Sequence, residues 1–357
     1  MCGQKTGLSG RYGKNGFTIR RCSGNRLDST GDAKMIYTDF TINKHGFTGH
    51  MVEPKRKTEQ AVIVIMGGEK SILPGIKIAE RFADFGICGL AVSLFGAEGL
   101  PKGPDRIPLD MFENAVRYLT EEKKMKSVST YGVSMGSLFA ALAAEYIDGI
   151  DNVIMVSPSH VPFGGTMDKK HLSGHSMVTW HGRELPYVNA DFAVYKMGKY
   201  YYERQEKRKV TGMWKAYADA YADKSAESEA DIHIEKCNSR ILLLAGTGDE
   251  MWPSDYSVKY LEKSLQEHNY SKDYKAVLYP GASHLLGVMP SRERNPLLYK
   301  MIPLVGLMYR SLLENRTACM NALEQSEREI VEWIGSNKTG KGESMNERII
   351  QHIKTDY

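Results

Sequence analysis

Apolar residues follow two rhythms along this chain. Short continuous runs stand at 60–66, 87–94, 153–156, 240–245 and 274–279, the pattern of strands buried on both faces. Between several of them apolar positions recur every three or four residues, at 73–85, 109–122, 138–146 and 254–266, which predicts amphipathic helices. Runs and spaced segments alternate from residue 61 onward, so the expected fold is a mostly parallel central sheet flanked by helices. Residues 35–42 and 47–52 read as an antiparallel lead-in. The stretch 159–238 interrupts the alternation with tyrosine, lysine and histidine, and helical stretches are expected in it near 195–207 and 214–222. An insertion there is expected to lie over the carboxyl ends of the strands as a cap. Residues 1–33 are glycine-rich and polar, a loose arm ahead of a single domain at 34–357.

The chemistry sits at the ends of three runs. Gly132-Val133-Ser134-Met135-Gly136 follows a short strand and opens a helix, the setting of a nucleophile elbow. A turn that sharp exposes the Ser134 hydroxyl and aims the Met135 N–H at an oxyanion. A serine hydroxyl needs a base, and the base needs an orienting carboxylate. Both candidates lie downstream. The run 240–245 empties into Gly246-Thr247-Gly248-Asp249-Glu250, and the run 274–279 into Pro280-Gly281-Ala282-Ser283-His284. Asp249 is the preferred acid, Glu250 its competitor, and His284 the base. The strand at 60–66 opens into Gly67-Gly68-Glu69-Lys70, where the N–H of Gly68 or Glu69 would be the second oxyanion donor.

Four stretches carry a resemblance. They are Leu100-Pro101-Lys102 with the segment 107–119 and the elbow, the segment 176–187 with Trp180 and Leu185-Pro186-Tyr187, the acid loop with Asp249, Trp252 and Ser254, and Tyr279-Pro280-Gly281-Ala282-Ser283-His284. Together they resemble the catalytic domain shared by acyl-CoA thioesterases and bile-acid-CoA:amino-acid N-acyltransferases, over about residues 60–290. The resemblance implies an α/β-hydrolase fold with a cap insertion, an acyl-enzyme mechanism on thioesters, and substrate-binding roles for Trp180 and Trp252. Its thioesterases use serine and its conjugating enzymes cysteine, so Ser134 favours hydrolysis over amide formation. Members of that family carry a β-sandwich ahead of the hydrolase, whereas fewer than sixty residues precede the first core strand here. A carboxylesterase or dienelactone-hydrolase-like enzyme on small esters, an acyltransferase and a catalytically silent binding protein stay open as alternatives.

Composition narrows the rest. A net charge of +4 on 357 residues gives no sign of nucleic-acid binding. The basic cluster Lys199, Arg204, Lys207, Arg208 and Lys209 reads either as a solvated face or as a contact for coenzyme A phosphates. Five scattered cysteines suggest neither a disulfide scaffold nor a zinc site. His171 and His175 stand four apart but in an expected loop, so no metal is expected, and the triad chemistry needs no cofactor. No run approaches membrane-spanning length, and Met1-Cys2-Gly3 lacks a signal-peptide core, which points to the cytoplasm. Residues 335–342 mimic a phosphate loop but place Gly342 where a hydroxyl must reach magnesium. The apolar stretch 290–313 is open to three readings: ordinary core, acyl-pocket wall or homodimer contact.

Overall fold

The computed structural model describes residues 35–166, 171–196, 199–203, 208–297 and 309–336. The expected arm at 1–33, the apolar segment 298–308, the phosphate-loop mimic from residue 337 onward, and Arg204 and Lys207 lie outside the described residues.

Eight strands form the central sheet: β1 (Ile36–Phe40), β2 (Gly49–Glu53), β3 (Gln60–Ile65), β4 (Cys88–Val92), β5 (Ser127–Val133), β6 (Asn152–Val156), β7 (Arg240–Gly246) and β8 (Tyr274–Tyr279). Their spatial order is β1-β2-β4-β3-β5-β6-β7-β8. The lead-in β1–β2 is antiparallel, as is β2–β4, and every pair from β4 to β8 is parallel. This is the α/β-hydrolase fold read from the sequence. The lead-in departs from expectation in one detail, because residues 42–45 break away from β1 as a single helical turn, α1 (Ile42–His45).

Period-two alternation decides which side each strand residue covers. In β3, Ala61, Ile63 and Ile65 face one core, and Val62 and Val64 face the other. All five are fully buried, which is why the run is apolar without interruption. The first core is closed by helices α3 (Asp110–Arg117), α4 (Met135–Tyr146) and α7 (Ser254–Glu267), through Phe112, Leu138, Phe139, Val258 and Leu261. The second is closed by α2 (Leu73–Asp84) and the C-terminal α9 (Arg316–Gly335), through Ile76, Phe82, Ile330 and Val331. A buried bidentate pair, Arg81 to Glu327 at 2.9 and 3.1 Å, ties α2 to α9. The helix expected over 109–122 ends early: α3 stops at Arg117, and Tyr118–Glu122 continues as a π-turn.

The insertion divides in two. Its first half sends Val178–Trp180 into a small sheet with Ile107–Pro108 and Arg183–Glu184, beside α3 and the far end of α4. Its second half packs on the acid loop, where the Thr211 N–H and hydroxyl donate to the Glu250 carbonyl at 3.2 and 2.6 Å. The start of the first half reaches the same loop, through Phe163 against Trp252 at 5.9 Å. The expected helix near 195–207 is a correction: Tyr200–Glu203 and Arg208–Thr211 pair as an antiparallel hairpin, with Tyr201 opposite Val210. Three successive tyrosines facing a β-branched pair prefer a pleated surface to a helix, where aromatic side chains lose χ1 freedom. The second expected helix forms as α5 (Gly212–Ala220), capped by the Thr211 hydroxyl on the Trp214 N–H.

Candidate active site

Ser134 sits between β5 and α4 with φ 57° and ψ −128°, a region L-residues enter only under constraint. The constraint is close packing. A Cβ on Gly132 would stand 2.3 Å from the Gly136 carbonyl oxygen, and one on Gly136 2.1 Å from that of Ile65. Only glycine on both sides lets helix α4 begin this near the sheet. Ser134 itself is anchored by its N–H to the Val156 carbonyl at 2.9 Å. Met135 is the first residue of α4, so its N–H has no intrahelical acceptor and adds to the positive end of the helix dipole.

Asp249 and His284 meet. The imidazole Nδ1 lies 2.8 Å from Asp249 Oδ2, with the carboxylate wholly buried and the histidine 5 % exposed. Asp249 also accepts the Ser254 hydroxyl at 2.6 Å and the Met251 N–H at 2.9 Å. With a longer contact from the Trp252 N–H at 3.4 Å, that donor set holds a buried carboxylate in place to receive Nδ1–H. Glu250, the competing acid, turns away. Its buried carboxylate accepts the Ser311 N–H at 3.2 Å and the Ser311 hydroxyl, pinning α8 (Arg310–Glu314) to the acid loop. Burial is also the main cause that raises the Glu250 pKa.

Ser157 joins the three loops, and nothing in the sequence singled it out. It follows β6 with φ 47° and is fully buried. Its N–H donates to Leu244 at 2.7 Å, its hydroxyl to the His284 carbonyl at 2.8 Å, and its own carbonyl accepts Trp252 Nε1 at 3.0 Å. Val156, one residue earlier, receives the Ser134 N–H. The nucleophile candidate, acid loop and histidine loop therefore hang from consecutive residues at one strand end. Among the described residues no hydrogen bond joins the Ser134 hydroxyl to the imidazole.

The glycine loop after β3 lies against Ser134: a Cβ on Gly67 would come within 3.1 Å of the serine Cβ and 3.4 Å of its Oγ. Gly68 faces open space and Glu69 is exposed. The two tryptophans fare differently. Trp252 is 3 % exposed and meets the imidazole edge-on at 5.7 Å, so it backs His284 and does not line an open pocket. Trp180 packs on Tyr146 at 5.7 Å, at the end of α4 opposite Ser134. Twelve residues of helix put those ends roughly 16 Å apart, which takes Trp180 out of the site. The helix spans a distance that sequence proximity to a motif cannot convey. His175 lies in the short strand Leu172–Ser176, not a loop, and pairs with Glu184 at 2.7 Å. Among the described residues no three ligating side chains gather as a metal site, and no helix is long and apolar enough to cross a membrane.

Comparison with known proteins gives the site its kin. Acyl-coenzyme A thioesterase 1 of Homo sapiens is 26 % identical over 219 residues, covering 58 % of this chain and 45 % of that protein. The peroxisomal succinyl-coenzyme A thioesterase of Mus musculus is 25 % identical over 210 residues, with the same two shares. The chain thus spans less than half the length of these curated relatives. Among solved structures, a dienelactone hydrolase from Anabaena variabilis covers 70 % of this chain and is covered over 88 % of its own, at 14 % identity and a TM-score of 0.39. The assignment of fold rests instead on the strand order given above. The family described as BAAT / Acyl-CoA thioester hydrolase C terminal matches residues 107–293. With just over half of its length matched, from before the elbow to beyond His284, this chain belongs to that family.

Proposed function

We propose that this protein is a serine hydrolase that cleaves acyl thioesters through an acyl-enzyme. The observation that carries the reading is the buried Asp249–His284 pair at the strand rim where Ser134 occupies its elbow. With Nδ1–H donated to Asp249, Nε2 is free to take the Ser134 proton as Oγ bonds to the thioester carbonyl carbon. The resulting oxyanion rests on the N–H of Met135 and that of Gly68 or Glu69. Collapse breaks the C–S bond, and the departing thiolate takes the proton from the imidazolium. Water, deprotonated by the same imidazole, then releases the acid. The relatives matched along the chain are named thioesterases, which supports sulfur over oxygen as the leaving atom.

Ser134→Ala should lower kcat by roughly 10⁴-fold or more, since members of such a triad act as a unit. A fluorophosphonate probe should label the native protein at Ser134 and leave the variant unlabelled. Near-normal turnover by the variant would sink the mechanism. Matched acyl thioesters and oxygen esters decide the leaving atom, and a higher kcat/KM on the oxygen ester would replace the thioesterase reading with an esterase one.

A further inference from the structure

Two polar side chains, Tyr309 against His284 and Glu69 beside Ser134, make no hydrogen bond among the described residues. The Tyr309 ring lies parallel to the His284 imidazole, 6.0 Å between centroids and 8° between planes. Its hydroxyl makes no hydrogen bond among the described residues. The ring is held there from the acid loop, because Ser311 donates both its N–H and its hydroxyl to buried Glu250. Burial raises the phenol pKa, with the charges of Asp249, Glu69 and Glu250 adding to it. Tyr309 therefore stays a neutral O–H donor across the working range of a histidine base.

Glu69 is the complement. Its Oε2 and Ser134 Oγ each lie 3.4 Å from the point where a Gly67 Cβ would be, so the carboxylate and the hydroxyl flank one spot. The side chain is exposed, and no cation or donor holds it among the described residues. A carboxylate beside an oxyanion site opposes the developing charge unless a donor occupies it. Water serves the exposed carboxylate in the free protein, and a substrate that displaces it gains by offering a donor to Glu69 and an acceptor to Tyr309.

A thioester of the pantetheine type carries both, as a secondary amide two methylenes from the sulfur. Alkyl thioesters and simple oxygen esters carry neither in the leaving group. We propose that Glu69 and Tyr309 recognise this leaving-group amide, the carboxylate accepting its N–H and the phenol donating to its carbonyl. The inference rests on Ser134 being the nucleophile, and it makes the leaving group, not the acyl chain, the main source of specificity.

The test compares the N-acetylcysteamine and S-ethyl thioesters of one acyl group, each corrected for its rate of alkaline hydrolysis. The native protein should prefer the first by about 100-fold in kcat/KM, and Tyr309→Phe and Glu69→Ala should each cut that preference roughly tenfold, the worth of one hydrogen bond to a bound polar group. Tyr309→Phe keeps the ring over His284, so loss of stacking cannot mimic loss of the O–H. Glu69→Gln retains an acceptor and should recover part of the preference. A native preference below twofold, or one that survives either Tyr309→Phe or Glu69→Ala, overturns the assignment while leaving Ser134 in its role. Inertness towards both thioesters, with no fluorophosphonate labelling, overturns the hydrolase reading as well.

Discussion

Ser157 does at one position what the site needs at three, since its N–H, hydroxyl and carbonyl reach β7, the histidine loop and Trp252. Replacing it with alanine frees the His284 carbonyl and loosens the imidazole relative to Ser134. We expect Ser157→Ala to lower kcat about tenfold with KM within about twofold, a split that steady-state kinetics reads directly. A role in packing alone would lower the melting temperature and leave kcat intact. At this scale the sequence was partly legible. Ser134, Asp249 and His284 stand out because each ends an apolar run at a glycine-rich turn. Ser157 ends a run too, but no motif surrounds it, and its value lies in partners 87 and 127 positions away in the chain. Asp249 and Glu250 are neighbours of like chemistry, and only the direction of their side chains separates a partner for His284 from an anchor for Ser311.

Elements were more legible than their connections. The runs that became β3, β4, β6, β7 and β8 are apolar because both faces are covered, and α4 is apolar nearly all round because it lies between sheet and insertion. The hairpin of Tyr200–Glu203 with Arg208–Thr211 was misread as helix because local spacing cannot register the strand opposite. Nor does either sequence segment announce the Arg81–Glu327 pair, whose members are 246 positions apart and both buried. Removing the arginine alone leaves a buried carboxylate without its cation. Arg81→Met should cost about 3–5 kcal/mol, and the double replacement Arg81→Met with Glu327→Leu should recover most of it. Denaturant unfolding of the four proteins checks this. A single variant as stable as the native protein would mean that α9 is held by its apolar face alone.

Across the whole molecule, acidic groups outside the candidate site, Glu145 at the far end of α4 and Asp231 in the insertion, set a pH dependence distinct from catalysis. Burial raises the Glu145 pKa to about 7 and, with help from Glu235, that of Asp231 to about 7. One oxygen of each is buried without a hydrogen-bond partner. A carboxylate raised on folding favours the folded state fully below its unfolded pKa of about 4 and loses that contribution as pH rises through 7. Stability should therefore fall between about pH 4.5 and pH 7 by roughly 2 kcal/mol per group after allowance for partial solvation. Glu145→Gln should flatten this slope in denaturant unfolding at stepped pH. An unchanged slope would place Glu145 in ordinary solvated surroundings. Deeper in, His160 bridges Ser257 at 2.9 Å and Glu227 at 3.0 Å, fixing α6 (Lys224–Glu229) of the insertion to α7. Its second half is thus bound to the acid loop and to α7 at once.

Hydrophobic rhythm, turn residues and chain order were enough to determine the layered sheet, its parallel core and the three loops that carry the candidate chemistry. These are local or periodic features, written over a few residues at a time and enforced by burial on one face or two. Tertiary structure alone decided which acid meets His284, that Trp180 stands at the wrong end of α4, that Ser157 and Tyr309 meet the histidine loop, and that Glu69 lies beside Ser134. Those outcomes depend on distances between segments far apart in the chain, and such distances come from how helices and strands pack, not from the order in which they are joined.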